Sequence, residues 1–259
     1  MEEKFAYIKV LDEESEWLSS KYFNGNAYPD NVQTLVNACW RRFSLILTYH
    51  QNMSAQKKLD TNKFLKWTNH NITKIRIGDK NLAYEISFES IAYISNFYMT
   101  LFMIKSFLDI WAKACATLID PKAKVNGFHK AKIDNESLAG GNLINWLQRC
   151  VPQAEINNNL IKLVYDNVKF WVNNAVKYRD QILYHGEVKN IKPMRIIIKE
   201  KPKIKYLETD LIQASMPDNT SVLEYSHDII CKLNSFIIEC IKLLPNIKLK
   251  YLTLEPLIL

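Results

Sequence analysis

An arginine and a histidine stand six positions apart in one short segment of the chain, as Arg179 and His185. An arginine is a permanent cation whose donors hold a phosphate, and an imidazole titrates near neutral pH. Together these side chains can bind a phosphodiester and move a proton without a metal ion. This pair is therefore the first candidate for chemistry in the sequence.

Other motifs that carry chemistry are missing from the sequence. The chain has no Walker loop, no GxGxxG, no HExxH and no nucleophile elbow. We therefore expect neither a metal nor a cofactor. The remaining histidines stand alone, each at an expected surface or helix-end position: His50, His70, His129 and His227.

The Arg-His pair closes a helical pattern that extends from about residue 154 to 184. Gly186 follows directly and is expected to stop the helix in a left-handed conformation. Six residues turn a helix by about 240°, so Arg179 and His185 border the apolar seam on two sides, about 120° apart. Asp180 is predicted to face solvent on the opposite side. The seam consists of Leu160, Val164, Val168, Trp171, Ala175, Tyr178 and Ile182.

Composition and periodicity predict the class of fold. The 259 residues are 48% hydrophobic and 24% charged, with only 6 glycines and 8 prolines to interrupt helices. We predict one all-α domain over residues 1–259, a helical bundle with long central helices and a small β-hairpin insertion. The expected helices cover residues 13–23, 28–51, 60–67, 81–119, 141–152, 154–184 and 221–244, with a loop over 122–136 and a hairpin of strands 194–199 and 203–207.

The formal net charge of +7 favours an anionic partner, although lysines also keep a protein in solution. Basic residues crowd the segments on both sides of the Arg-His pair. They would hold an RNA backbone, or they would protect a hairpin edge from pairing with another chain. These residues are Lys122, Lys124, Lys130, Lys132, Lys189, Lys192, Arg195, Lys199, Lys201, Lys203 and Lys205.

Three features of the sequence favour a cytoplasmic protein. The five cysteines are scattered and form no CxxC pair, which is typical of reduced thiols. The charged N-terminal residues are not followed by the apolar run of a signal peptide. The apolar stretch over residues 91–112 is interrupted by Asn96, Lys105 and Asp109, so we predict a buried bundle helix and no membrane contact.

The segment around Arg179 resembles the HEPN superfamily, the helical domains of prokaryotic toxins, phage-defence proteins and related RNases. Their shared motif is Arg, four to six residues, then His, often with a polar residue directly after the Arg. Here Arg179 is followed by Asp180 and, after five intervening residues, by His185. The motif closes a long helix, and a further helix follows, as in the family. The resemblance covers about residues 81–244 and makes residues 1–80 an N-terminal helical elaboration.

That resemblance implies a metal-independent endoribonuclease, a toxin or defence effector that acts as a homodimer with a shared site. An antitoxin or regulatory protein would be a further partner. Arg179, His185 and Asp180 would be catalytic. The residues expected to bind RNA are Tyr184, Lys189, Lys192, Arg195, Lys199, Lys201 and Lys203.

Two other interpretations stay open on the sequence alone. The same fold can be catalytically inactive and bind RNA, a nucleotide or a protein partner. The chain can also be a structural helical protein in which Arg179 pairs with an acid and His185 caps its helix.

Overall fold

The computed structural model describes residues 30–71, 84–150, 159–201 and 206–244. The predicted helix over residues 13–23 and the apolar C-terminal tail lie outside these ranges. The helices are α1 (Asp30–Asn71), α2 (Ile91–Ile119), α3 (Gly141–Cys150), α4 (Leu160–Asn167), α5 (Asn173–His185) and α6 (Val222–Leu243), and a π-helical turn (Val168–Val172) joins α4 to α5. The strands are β1 (Tyr84–Phe88), β2 (Ala131–Ile133), β3 (Glu136–Leu138), β4 (Met194–Lys201) and β5 (Tyr206–Ile212).

Helices dominate this architecture, and the strands form two small antiparallel sheets. The predicted class, an all-α fold with a small β insertion, is confirmed. The described chain forms two compact units. Among the described residues, the first unit contains 30–45, 102–150, 159–177 and 231–244, and the second contains 46–71, 84–101, 178–201 and 206–230.

The first unit has an aromatic and aliphatic core. Phe43 of α1 meets Phe107 of α2 with ring centroids 6.1 Å apart, and both side chains are fully buried. The short hairpin β2–β3 turns through Asp134 and Asn135, whose φ angles of 48° and 67° suit a two-residue hairpin turn. Gly140 leads into α3.

The second unit contains the three-stranded sheet. Its strand β1 precedes the Arg-His segment in the sequence, and its strands β4 and β5 follow that segment. Its strand order is β1-β4-β5, and both pairings are antiparallel. Alternate residues of β4 are buried, namely Met194, Ile196 and Ile198, and they pack on Phe64 of α1. Phe64 also stacks on Phe88 of β1 at 5.3 Å. Burial of each large apolar side chain contributes roughly 1.5–3 kcal/mol, so this contact stabilises the sheet on α1.

The predicted helix over residues 81–119 is wrong at its beginning. Residues 84–88 form β1, and α2 begins at Ile91. The alternation Tyr84-Glu85-Ile86-Ser87-Phe88 has the period of a strand. Ser90 then caps α2, because its hydroxyl accepts the N–H of Tyr93 at 3.2 Å.

The N-terminal helices were predicted too short. One helix of 42 residues, α1, replaces the helices expected at residues 28–51 and 60–67. Asp60, the first residue of the second expected helix, lies inside α1, where it is 3% exposed and accepts a hydrogen bond from Gln56 at 2.8 Å. No glycine or proline stands between residues 51 and 67, so nothing ends the helix there.

Two further expectations need correction. The region 122–136, predicted as a loop, contains the strand β2 and the start of its partner β3. The helix predicted over residues 154–184 carries a π-helical turn at Val168–Val172, and its residues 154–158 lie outside the described part. The hairpin of β4 and β5 is confirmed, although β5 ends at Ile212, five residues beyond the predicted end.

Candidate functional site

The Arg-His pair occupies the last half of α5, and the end of that helix is built as the sequence predicts. Gly186 has a φ of +79°, and its N–H donates to the carbonyl of Ile182 at 2.8 Å. An added Cβ at Gly186 would meet nothing within 4 Å, so this glycine is required for its backbone conformation and not for space. The turn places His185 as the last residue of α5.

Arg179 is held by the residue that follows it. Its Nη1 lies 3.2 Å from Oδ1 of Asp180, and the two side chains are 19% and 21% exposed. The Nε of Arg179 is buried and has no hydrogen-bond partner among the described residues. A guanidinium has five N–H donors, so an anion beside Arg179 would find donors that the ion pair does not use.

The predicted solvent-facing position of Asp180 is wrong. The helical wheel places successive residues about 100° apart and ignores the length of their side chains. The long Arg179 side chain reaches the carboxylate, and the two side chains are mostly buried together. Asp180 is therefore placed to orient the guanidinium.

The end of α5 is exposed over three consecutive residues. Leu183 is 56% exposed and Tyr184 is 77% exposed, and His185 beside them is exposed as well. The imidazole is accessible to a large substrate. An exposed leucine and tyrosine at one helix end are also suited to contact with another surface.

An aromatic ladder supports the start of the motif within the second unit. Tyr178 meets Tyr225 of α6 edge-on at 5.7 Å, and Tyr225 meets Phe97 of α2 edge-on at 6.1 Å. Burial raises the pKa of Tyr225 above its ordinary value, and the neighbouring Tyr178, Asp228 and Asp218 raise it further. The phenol hence stays neutral, and the ladder fixes the residue directly before Arg179.

The basic residues predicted to bind RNA have different surroundings. The ammonium of Lys192 donates to Asn219 at 2.6 Å, and Arg195 forms an ion pair with Glu85 of β1 at 2.9 Å. The exposed Lys189 has its backbone N–H bound to Gln181 at 3.2 Å. For all three the role in RNA binding remains a prediction.

The other three lysines predicted to bind RNA are only partly within the described residues. Lys199 and Lys201 are on β4, and Lys203 is outside the described residues. The middle strand of the sheet is β4, with Arg195 opposite Ser87 on one side and Ile212 on the other. Protection of a free edge therefore does not explain the charge of Arg195.

Sequence reasoning missed a group of polar residues in the same unit. Glu187 and Asn190 follow the motif, and Glu89 and Tyr98 come from around the start of α2, yet all four line one cavity. The segments are about ninety residues apart in sequence, so no local pattern reveals their proximity. The one hint in the sequence is the acidic Glu187, which stands two residues after His185.

The chain matches no protein-family model, and no curated protein or solved structure is significantly similar to it. Within the described ranges, no three His, Cys, Asp or Glu side chains group in a way that could hold a metal ion. None of the helices described is both long and apolar enough to cross a membrane.

Proposed function

We propose that the chain is a metal-independent endoribonuclease of the HEPN type, with Arg179 and His185 as its catalytic residues. The observation that carries this proposal is the geometry at the end of α5. A mostly buried guanidinium, whose Nε has no hydrogen-bond partner among the described residues, precedes an exposed imidazole by six residues on one helix. Such a cation and such an acid-base group are what cleavage of a phosphodiester by transesterification to a neighbouring hydroxyl requires.

In this mechanism neutral His185 takes the proton from a ribose 2′-hydroxyl. The 2′-oxygen forms a bond to phosphorus while the bond from phosphorus to the 5′-oxygen breaks. The departing 5′-oxygen receives a proton from a second acid, which in a dimer is the partner's protonated His185. The products are a 2′,3′-cyclic phosphate and a 5′-hydroxyl. Arg179 stabilises the negative charge that develops on the phosphoryl oxygens, and Asp180 positions it.

A homodimer with a shared site is part of the same proposal. On one α-helix, Arg179 and His185 point about 120° apart and are separated by about 9 Å along the axis. Two copies across a two-fold axis would surround one phosphate from both sides. The exposed Leu183 and Tyr184 beside His185 supply apolar surface for that contact. A toxin or defence role, an antitoxin partner and a cytoplasmic location belong to this proposal as well.

The Arg179–Asp180 ion pair favours a second candidate. A guanidinium neutralised by its own neighbour is also the arrangement of a structural pair. In that case the fold would bind RNA, a nucleotide or a protein partner without cleaving it.

Cleavage of a single-stranded RNA in the presence of EDTA distinguishes the two candidates. We expect His185→Ala and Arg179→Ala each to lower kcat by about a hundredfold or more while the helical circular dichroism stays unchanged. His70→Ala and Arg149→Ala, at exposed positions elsewhere, are the matched controls and should retain activity. Equal cleavage by all four variants and the wild type would indicate a contaminating nuclease and refute the proposal.

A further inference from the structure

A cavity of about 270 Å³ opens in the second unit, between the end of β1, the start of α2 and the loop that follows α5. Three aromatic side chains line it, from Phe88, Tyr93 and Tyr98, and aliphatic residues complete its walls. Tyr93 is 4% exposed, so its ring is a fixed part of the wall. Aromatic and aliphatic walls of this kind suit a flat heterocycle, which gains by stacking and by leaving water.

Two of the polar side chains that line the cavity, those of Glu89 and Glu187, act only as acceptors when ionised. Glu89 and Glu187 contribute two carboxylates and Asn190 an amide. The Tyr98 hydroxyl accepts the N–H of Val188 at 3.2 Å and can still donate its own hydrogen. Burial raises the pKa of Tyr98, the hydrogen bond from the Val188 N–H lowers it, and the charges of Glu187 and Glu89 raise it.

The cavity is also close to the proposed catalytic histidine. Glu187 is two residues after His185, and consecutive Cα atoms are 3.8 Å apart, so the two Cα atoms are within about 7.6 Å of each other. A base held in the cavity would therefore belong to a nucleotide next to the phosphate at His185.

We propose that this cavity is a subsite that binds guanine. This inference rests on the proposed function as a ribonuclease. Guanine presents N1–H and the N2 amino group side by side, and a carboxylate accepts both. Its O6 and N7 are acceptors that the Tyr98 hydroxyl or the Asn190 amide can meet. Uracil presents one N–H between two carbonyl oxygens, which a carboxylate repels, and adenine and cytosine each offer a single amino group. The substrate is thus RNA cleaved beside a guanosine.

Isothermal titration with the 3′-monophosphates of guanosine, adenosine, cytidine and uridine tests this without any cleavage step. We expect guanosine monophosphate to bind about ten- to a hundredfold more tightly than the others, the discrimination of one bidentate pair. Glu187→Gln should remove that preference, because an amide presents a donor where guanine needs an acceptor. Glu239→Gln, at an exposed site on α6, should keep it. Tyr98→Phe is the second variant and should weaken guanosine binding while the ring stays in place.

The outcomes separate this inference from the proposed function. Equal affinity for all four nucleotides, with RNA still cleaved in a His185-dependent way, refutes the guanine subsite and leaves the ribonuclease. Selective guanosine binding by a protein that cleaves no RNA supports the subsite and refutes the ribonuclease. Spermidine binding more tightly than any nucleotide, in a manner lost in Glu187→Gln, overturns the subsite in favour of a cation pocket.

Discussion

The guanidinium of Arg179 contacts the carboxylate of Asp180, its neighbour in the chain, at 3.2 Å, and both side chains are about four-fifths buried. Adjacent residues of a helix do not usually face each other. The contact is possible because the arginine side chain is long. The ion pair fixes the direction in which the other N–H donors of the guanidinium point. The catalytic proposal depends on that direction.

Removal of the Asp180 carboxylate should affect turnover more than RNA binding. In Asp180→Ala the guanidinium loses its positioning partner, and we expect kcat to fall about tenfold, because misplaced groups stabilise the transition state poorly. The KM for RNA should fall or stay constant, since a negative charge beside the phosphate is removed. Asp180→Asn retains one acceptor oxygen and should lose less. Steady-state kinetics at fixed ionic strength measure both constants, and wild-type kcat in Asp180→Ala would show that the ion pair does not position Arg179.

The oligomeric state should depend on the exposed end of α5. Sedimentation equilibrium of the wild type is expected to give a mass near twice 30.3 kDa. Tyr184→Glu places a charge in the proposed interface and should give a monomer with little activity, since the second histidine is lost. Phe170→Glu, at a residue that is 71% exposed on the π-helical turn, is the control and should leave the dimer intact. A monomeric wild type that cleaves RNA contradicts the shared site.

Stability should decrease in mild acid because of one buried histidine. His50 is 8% exposed, and its Nδ1 lies 3.0 Å from the Ser226 hydroxyl. Burial lowers the pKa of His50 to about 4, and the nearby His227 contributes. Because the folded pKa lies below the unfolded value of about 6.5, the unfolded chain takes up the proton first as pH falls. The contribution of His50 is complete above pH 6.5 and is lost between pH 6.5 and 4.

Urea unfolding between pH 7.5 and 4 measures this loss, which we expect to be up to about 3 kcal/mol. In His50→Gln the slope over that range should be flatter. His70→Gln, at an exposed position on the same helix, should follow the wild type. A parallel pH dependence in all three proteins would remove His50 as the cause.

Two glycines with similar backbone angles should differ in their tolerance of alanine. Gly140 has φ +74°, and an added Cβ would lie 2.3 Å from the Phe128 ring, whereas Gly186 has φ +79° and open space around it. An alanine at either position destabilises the fold by about 1–2 kcal/mol, because its Cβ disfavours the left-handed backbone. In Gly140→Ala, overpacking against Phe128 destabilises the fold by about 1–3 kcal/mol more. Urea midpoints should therefore rank wild type, Gly186→Ala and Gly140→Ala in decreasing stability. The reverse order of the two variants would show that Phe128 moves aside without cost.

The sequence was most informative where one residue type has one structural use. Gly186 was recognised as a helix stop because a left-handed residue is needed after the last turn, and the β4–β5 hairpin followed from β-branched alternation. The strand at Tyr84–Phe88 was not predicted because it has only five residues. Their alternation is too short to be distinguished from the helical pattern of the long apolar segment that follows. Its partner, β4, is about 110 residues away and supplies the pairing that decides its state.

The candidate site also has features that the sequence predicts and features that it does not. Arg179 and His185 are six residues apart on one helix, so their relation follows from helical geometry alone. The contact of Arg179 with Asp180 depends on a side-chain conformation, which the wheel does not contain. The cavity needs Glu89 and Glu187 brought together by tertiary packing, and no spacing in the chain encodes that distance.

The bond from the Val188 amide to the Tyr98 hydroxyl gives the second unit a built-in spectroscopic reporter. Most backbone amides in helices and strands exchange their hydrogens when the local element opens, whereas this one is protected by a single side chain. Its exchange rate and its amide resonance thus depend on the orientation of one phenol at the wall of the cavity. A molecule that enters the cavity and engages Tyr98 would shift that single signal, three residues beyond the histidine, without any need for turnover.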